Sequence, residues 1–249
     1  MAGHSRWANI KHKKGVADAR RGRLWSKLAR NIIVAAKTGG GDPAMNLTLR
    51  YAIEKAKDAN MPADTIDKAI KRGTGELEAV QYSPVTYEGY GPGGVAFIVD
   101  ALTDNPHRTA PEIKKIFERG GGNLGATNCV SWNFSTKGHF TVNAAEVSED
   151  AVMEAALEAG ADDVVRDGDA FVVTCAATSF DAVRKGLESR KIPIDSKEIT
   201  KIPGSTVPID AETGARVLKL IEMFEDNDDV QHVYSNFDMP EDVMAGLAS

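Results

Sequence analysis

One stretch of this chain reads as a complete fold by itself, and the residues on either side must be arranged around it. Residues 139–143 have a strand pattern. Residues 148–159 have a helix pattern, with Val152, Ala155, Ala156 and Ala159 on one side. Two further strands, 163–166 and 170–176, are joined across Asp167-Gly168-Asp169, and a second helix, 180–190, leads to a last strand at 197–202. Alternation at period two marks the strands, and apolar spacings of three and four mark the helices. The order β-α-β-β-α-β is the ferredoxin-like plan, and Pro203-Gly204-Ser205 closes it.

What lies outside that stretch cannot fold piecemeal. Downstream there is one helix pattern, 210–224, with Val217, Leu218, Ile221 and Phe224 on one side, and one strand pattern, 230–236. A helix and a strand alone bury too little to form a core. Upstream, strands at 84–90 and 95–102 are joined by Gly91-Pro92-Gly93-Gly94. Asn105 caps a helix over 106–119, and a further strand is expected around 129–134. Joined to the downstream pair, these elements complete a second α+β layer. The expected organisation is therefore an inserted ferredoxin-like domain, 136–204, within a discontinuous α+β domain, 79–135 plus 205–249. A chain of 249 residues is long enough for several such domains.

Residues 1–78 are helical in pattern. Over 17–37, Leu24, Leu28, Ile32 and Ala35 recur at spacings of four, four and three, with Trp25 and Ala36 widening the stripe. Gly39-Gly40-Gly41 ends that helix. Asp42-Pro43 reads as an N-cap and first residue of a second helix, to about 59. Pro62 opens a third helix, and Gly73 reads as its stop. The fold class is α+β: an N-terminal three-helix domain followed by two ferredoxin-like α+β domains, one inserted in the other.

Charge separates these parts. Residues 1–75 hold sixteen Lys/Arg and six Asp/Glu, a balance of +10, whereas 76–249 hold fourteen and thirty, a balance of −16. Residues 1–30 are denser still, with nine Lys/Arg and only Asp18 against them. A block this basic on an acidic chain calls for a polyanionic partner, and nucleic acid is the natural one. The candidate nucleic-acid contacts are His4, Arg6, Trp7, Asn9, Lys11, His12, Lys13, Lys14, Arg20, Arg21, Arg23, Lys27 and Arg30. Trp7 either stacks a base or anchors the arm by packing. Arg20, Arg23, Lys27 and Arg30, at spacings of three, four and three, share an arc beside the apolar stripe.

Other chemistry is thin. Gly89–Gly94 and Gly120–Gly125 both match G-x-G-x-x-G, but neither stands between a strand and the start of a helix, so the dinucleotide role is rejected. No nucleophile elbow, zinc helix or Walker sequence is present, which argues against an enzyme and against a bound cofactor or metal. Asp226, Asp228 and Asp229 read as a solvated acidic loop. Cys129 and Cys175 read as separate reduced thiols. With no long apolar run, the expectation is a cytoplasmic protein with no membrane partner and no small-molecule substrate. A candidate second contact surface comprises Tyr87, Glu88, Tyr90, His107, Arg108 and Asn123.

Four blocks carry a resemblance: the opening Met-Ala-Gly-His-Ser-Arg-Trp-Ala-Asn-Ile-Lys-His-Lys-Lys, then Gly39-Gly40-Gly41-Asp42-Pro43, Tyr87 to Gly94, and Gly121-Gly122-Asn123-Leu124-Gly125. Over nearly its whole length the chain resembles the YebC/PmpR family. The resemblance implies a helical N-terminal domain with two α+β domains, and a DNA-binding transcriptional regulator. The family also includes the mitochondrial translational activator of cytochrome oxidase subunit one. The alternative implied is therefore a ribosome-associated translation factor binding ribosomal RNA. Two departures stand out. Asn128-Cys129 replaces the family's usual Gly-Ser, and Asp104-Asn105-Pro106-His107-Arg108-Thr109 has one arginine fewer than the usual loop.

Overall fold

The computed structural model describes residues 18–78, 80–240, 243 and 246. They fall into two compact units: Ser131–Thr206, and the described residues on either side of that span.

The inner unit contains β4 (Phe134–Asn143), α5 (Glu149–Glu158), β5 (Asp163–Asp167), β6 (Ala170–Ala176), α6 (Phe180–Ser189) and β7 (Ser196–Pro203). All its strand pairs are antiparallel, in the order β5-β6-β4-β7. This is the ferredoxin-like arrangement, with the first strand central. Phe140 stacks on Phe180 at 4.7 Å, and Val142, Val152, Ala156, Val183 and Leu187 are fully buried with them. Strand β4 starts five residues before the expected 139.

The outer unit begins with three helices, α1 (Asp18–Gly39), α2 (Leu47–Asp58) and α3 (Ala63–Thr74). Leu28, Ile32, Ala35, Leu49, Ile53, Ala56 and Ile66 form their common core, but Leu24, expected on the same stripe, is exposed. Two boundaries differ from expectation. The N-cap of α2 is Asn46, not Asp42, because Asn46 Oδ1 accepts from Leu49 N while its Nδ2 donates to Ala35 O and Gly40 O. Asp42 instead caps a turn by accepting from Ala44 N. Helix α3 runs past Gly73 to end at Gly75 with φ +85°. Gly73 has no Cβ because α1 passes against it at Ile33 O and Ala36.

The rest of the outer unit contains β1 (Ser83–Tyr90), β2 (Ala96–Thr103), α4 (Pro106–Arg119), β3 (Asn123–Leu124), β8 (Val207–Pro208), α7 (Ala211–Glu225), β9 (Val230–Ser235) and β10 (Phe237–Asp238). Its main sheet runs β3-β1-β2-β9, again wholly antiparallel. Sequence-distant β2 and β9 thus lie side by side. Phe97, Phe117 and Phe224 meet at centroid distances of 4.7 to 6.2 Å beneath α4 and α7. The strand expected at 129–134 is absent: Ser131–Asn133 is a tight helical turn, and the edge strand is the shorter Asn123–Leu124. The backbone donors a ladder would need are taken by a side chain, since Glu88 accepts from Asn128 N and Val130 N, both at 2.9 Å.

Candidate nucleic-acid interface

Arg23, Lys27 and Arg30, at spacings of four and three, face one way from α1, and the structure shows what they meet. Arg23 Nη1 pairs with Asp226 Oδ1 at 3.1 Å. Lys27 Nζ donates to the carbonyl of Glu225 at 2.6 Å. Arg30 Nη1 donates to Asp228 O at 2.6 Å and to Asp229 Oδ1 at 2.8 Å, and its guanidinium lies over the Tyr82 ring. The acceptors sit at and just beyond the C-terminus of α7, where helix carbonyls lack intrahelical partners and carry partial negative charge. The basic helix thus docks on a negative helix end reinforced by three aspartates.

Asp229 is the hub. Its side chain is 5% exposed and also accepts from Arg108 Nη2 at 2.9 Å and Thr109 Oγ1 at 2.6 Å. Its backbone N–H donates to Asn227 Oδ1, and its carbonyl accepts from Leu102 N. Burial alone would raise its carboxyl. The hydrogen bonds from Thr109 and Arg108 and the charges of Arg108 and Arg30 outweigh that, holding it below the ordinary carboxylate value. The solvated-loop expectation is thereby corrected for Asp229, while Asp226 and Asp228 are exposed. Lys27 shows the opposite balance. Burial brings its ammonium down to about 8 despite nearby Glu225, Asp228 and Asp226.

These contacts redistribute the candidate residues. Arg23, Lys27 and Arg30 are engaged within the protein. Arg21 is exposed near the start of α1. His4, Arg6, Trp7, Asn9, Lys11, His12, Lys13 and Lys14, and the side chain of Arg20, lie outside the described residues. Among those described, Lys37, Arg50, Lys55, Lys57, Lys68, Lys71 and Arg72 add exposed cations on the three helices. Arg50 also braces the α1–α2 loop by donating to Pro43 O and Ala44 O.

The second candidate surface does not assemble as one face. Tyr87 and Glu88 are buried. Tyr87 lies in the α4/α7 core, where its hydroxyl has no hydrogen-bond partner among the described residues. Burial, and then the charge of Asp229, pushes its phenol up. Glu88 instead clamps the 125–130 loop, accepting from Gly125 N through its backbone and from two amides through its carboxylate. Asn128 sits in that loop at φ +66°, a conformation glycine adopts freely and asparagine tolerates best among other residues. This accounts for asparagine at a position where glycine is expected. Tyr90 is partly exposed and donates to Cys129 O at 3.2 Å, while Asn123 pairs with it across β1 and β3. At the start of α4, Asn105 is the N-cap, His107 is exposed, and Arg108 meets an anion that is the protein's own Asp229.

The two glycine-rich stretches pack against one another. A Cβ on Gly122 would run into the carbonyl oxygen of Tyr90, and one on Gly89 into Asn123 O and the Phe117 ring. Their glycines permit this close backbone approach. Among the described residues there is no group of three or more His, Cys, Asp or Glu that could hold a metal, and no helix long and apolar enough to cross a membrane.

Comparison with known proteins finds relatives over the whole chain. The profile of the TACO1/YebC protein N-terminal domain matches residues 5–76, and that of the TACO1/YebC second and third domain matches 82–237. A probable transcriptional regulatory protein of Rubrobacter xylanophilus is 53% identical over 249 residues, all of both chains. One of Natranaerobius thermophilus is 50% identical over 247 residues, 98% of this chain and 99% of the other. The crystal structure of a conserved hypothetical protein from Aquifex aeolicus, 49% identical, superposes with a TM-score of 0.80 over 90% of this chain and 92% of that one. Matched by both profiles and by full-length relatives, the chain belongs to the TACO1/YebC family.

Proposed function

We propose that this protein is a non-enzymatic regulator that binds nucleic acid through its basic N-terminal segment, with DNA as the target and transcription as the controlled step. The observation that carries the reading is the partition of charge: +10 over residues 1–75 against −16 over the rest. Each phosphate neutralised by Lys or Arg releases condensed counterions, so cations concentrated in one segment give it a salt-dependent affinity that the acidic remainder of the chain lacks. The full-length relatives named as probable transcriptional regulatory proteins support the choice of transcription. The cations of residues 6–21, together with the exposed ones on α1 to α3, would make the phosphate contacts. Arg23, Lys27 and Arg30 orient that segment against α7.

Phosphate contacts position a protein without reading sequence, so the decisive test is selectivity. The protein should prefer duplex from a promoter it controls over random duplex by a factor on the order of 10³ at physiological salt. Equal affinity for both, with co-sedimentation of the protein with ribosomes through the same basic residues, would overturn the choice of DNA.

A further inference from the structure

The contact between α1 and the acidic end of α7 is graded. At its inner end Arg30 and Asp229 are 18% and 5% exposed, and Asp229 is held by Thr109 and Arg108 as well. At its outer end Arg23 and Asp226 are 40% and 62% exposed and joined by one ion pair, and Asp226, which ends α7, otherwise acts among the described residues only through its charge near Lys27. An exposed pair of this kind contributes little to stability and exchanges readily with other anions. Arg23 is also the docked cation nearest in sequence to Arg20, Arg21 and the basic stretch before them.

We propose that Asp226 is an internal phosphate surrogate: it occupies Arg23 in the free protein and is displaced by a backbone phosphate when nucleic acid binds, while the Arg30–Asp229 end stays closed. The contact is thus autoinhibitory at one end and structural at the other. A carboxylate at 3.1 Å from a guanidinium nitrogen offers the same charge-assisted acceptor as a phosphate oxygen. With the inner end anchored, release of Arg23 leaves α1 and α7 docked. The inference rests on the nucleic-acid reading above.

The test is a salt titration of random-sequence duplex with the full chain as wild type, Asp226→Asn, Arg23→Gln, and the double variant. Freeing Arg23 beforehand should raise affinity by up to about fivefold, the most that an exposed pair of this kind holds back, while the salt slope stays at the wild-type value because Arg23 reaches a phosphate in both proteins. In the Arg23→Gln background, Asp226→Asn should have no such effect. An Asp226→Asn protein indistinguishable from wild type, or an increment that persists without Arg23, overturns the proposal. The latter would mean that loss of one negative charge acts through the general field. Thermal unfolding of Asp226→Asn should match wild type, because Arg30 and Asp229 hold the dock. If wild type and all variants fail to bind duplex, the nucleic-acid reading fails and this inference with it. Binding by wild type with no response to Asp226→Asn removes the inference alone.

Discussion

Replacing Asp229 by alanine separates a structural hub from a surface loop. Its carboxylate is 5% exposed and accepts from Arg30, Arg108 and Thr109 at 2.8, 2.9 and 2.6 Å. Hydrogen bonds to a charged group contribute about 1.5–3 kcal/mol each when shielded from water. That range applies to Thr109 and to Arg30. Arg108 is 46% exposed, so its share falls to about 0–1 kcal/mol. The burial penalty that Asp229 itself incurs is relieved by the substitution and offsets part of the loss. The net expectation is a loss of about 3 kcal/mol, or roughly 6–12 °C in the unfolding temperature of a unit this size. The control is Asp226→Asn, whose exposed pair should cost below about 1 kcal/mol. Because the Asp229 pKa is depressed in the folded state, its stabilisation is present above the ordinary value of 3.8 and fades as pH falls below it. The Asp229→Ala protein should therefore lose less further stability on acidification than wild type. Calorimetry of both variants at neutral and acid pH decides the matter. A loss at Asp229 no larger than at Asp226 would refute the hub.

Two further outcomes follow from the packing and the buried ammonium. Gly122→Ala should cost at least about 2 kcal/mol, because the new methyl collides with the backbone of Tyr90, whereas Gly22→Ala, with open space around its Cβ, should stabilise α1 by about 0.5–1 kcal/mol; urea unfolding measures both. Lys27, lowered from 10.5 to about 8, makes the unfolded chain bind a proton that the folded one lacks across that window, so stability should rise with pH there. The rise is capped at about 3 kcal/mol and reduced by solvent screening, and urea midpoints on either side of the window should show it vanish in Lys27→Met.

Much of the fold was legible because its signals are local. The period-two and period-four patterns of 139–202 name each element of the inner unit. The inability of one helix and one strand to form a core points to their joining the upstream strands and helix, and the structure shows which strand they reach, with β9 pairing to β2. Where legibility failed, the deciding contacts were distant or came from side chains. Asp42-Pro43 and Asn46 are both good cap sequences, and the choice is made by Ala35 O and Gly40 O, which Asn46 alone reaches. The residues 129–134 look like a strand until Glu88 takes the amides of Asn128 and Val130. The cationic spacing on α1 was readable, but its partner lies 198 residues downstream. The one usable hint was complementarity, since the acids at 225, 226, 228 and 229 match the cations at 23, 27 and 30. Charge spacing alone does not say whether an arginine awaits phosphate or an aspartate of its own chain.

The central claim is that the basic N-terminal segment holds nucleic acid and the acidic residues 76–249 do not. The most direct measurement is the salt dependence of duplex binding by the full chain when Lys11, Lys13 and Lys14 are replaced by glutamine. It should be compared with the same change at Lys114 and Lys115 on α4, the first of which is 63% exposed. The account predicts a salt slope shallower by about 0.9 for each phosphate contact removed at the N-terminal positions, and no change from the α4 pair. An unchanged slope in the N-terminal variant, or an equal loss from the α4 lysines, would contradict it.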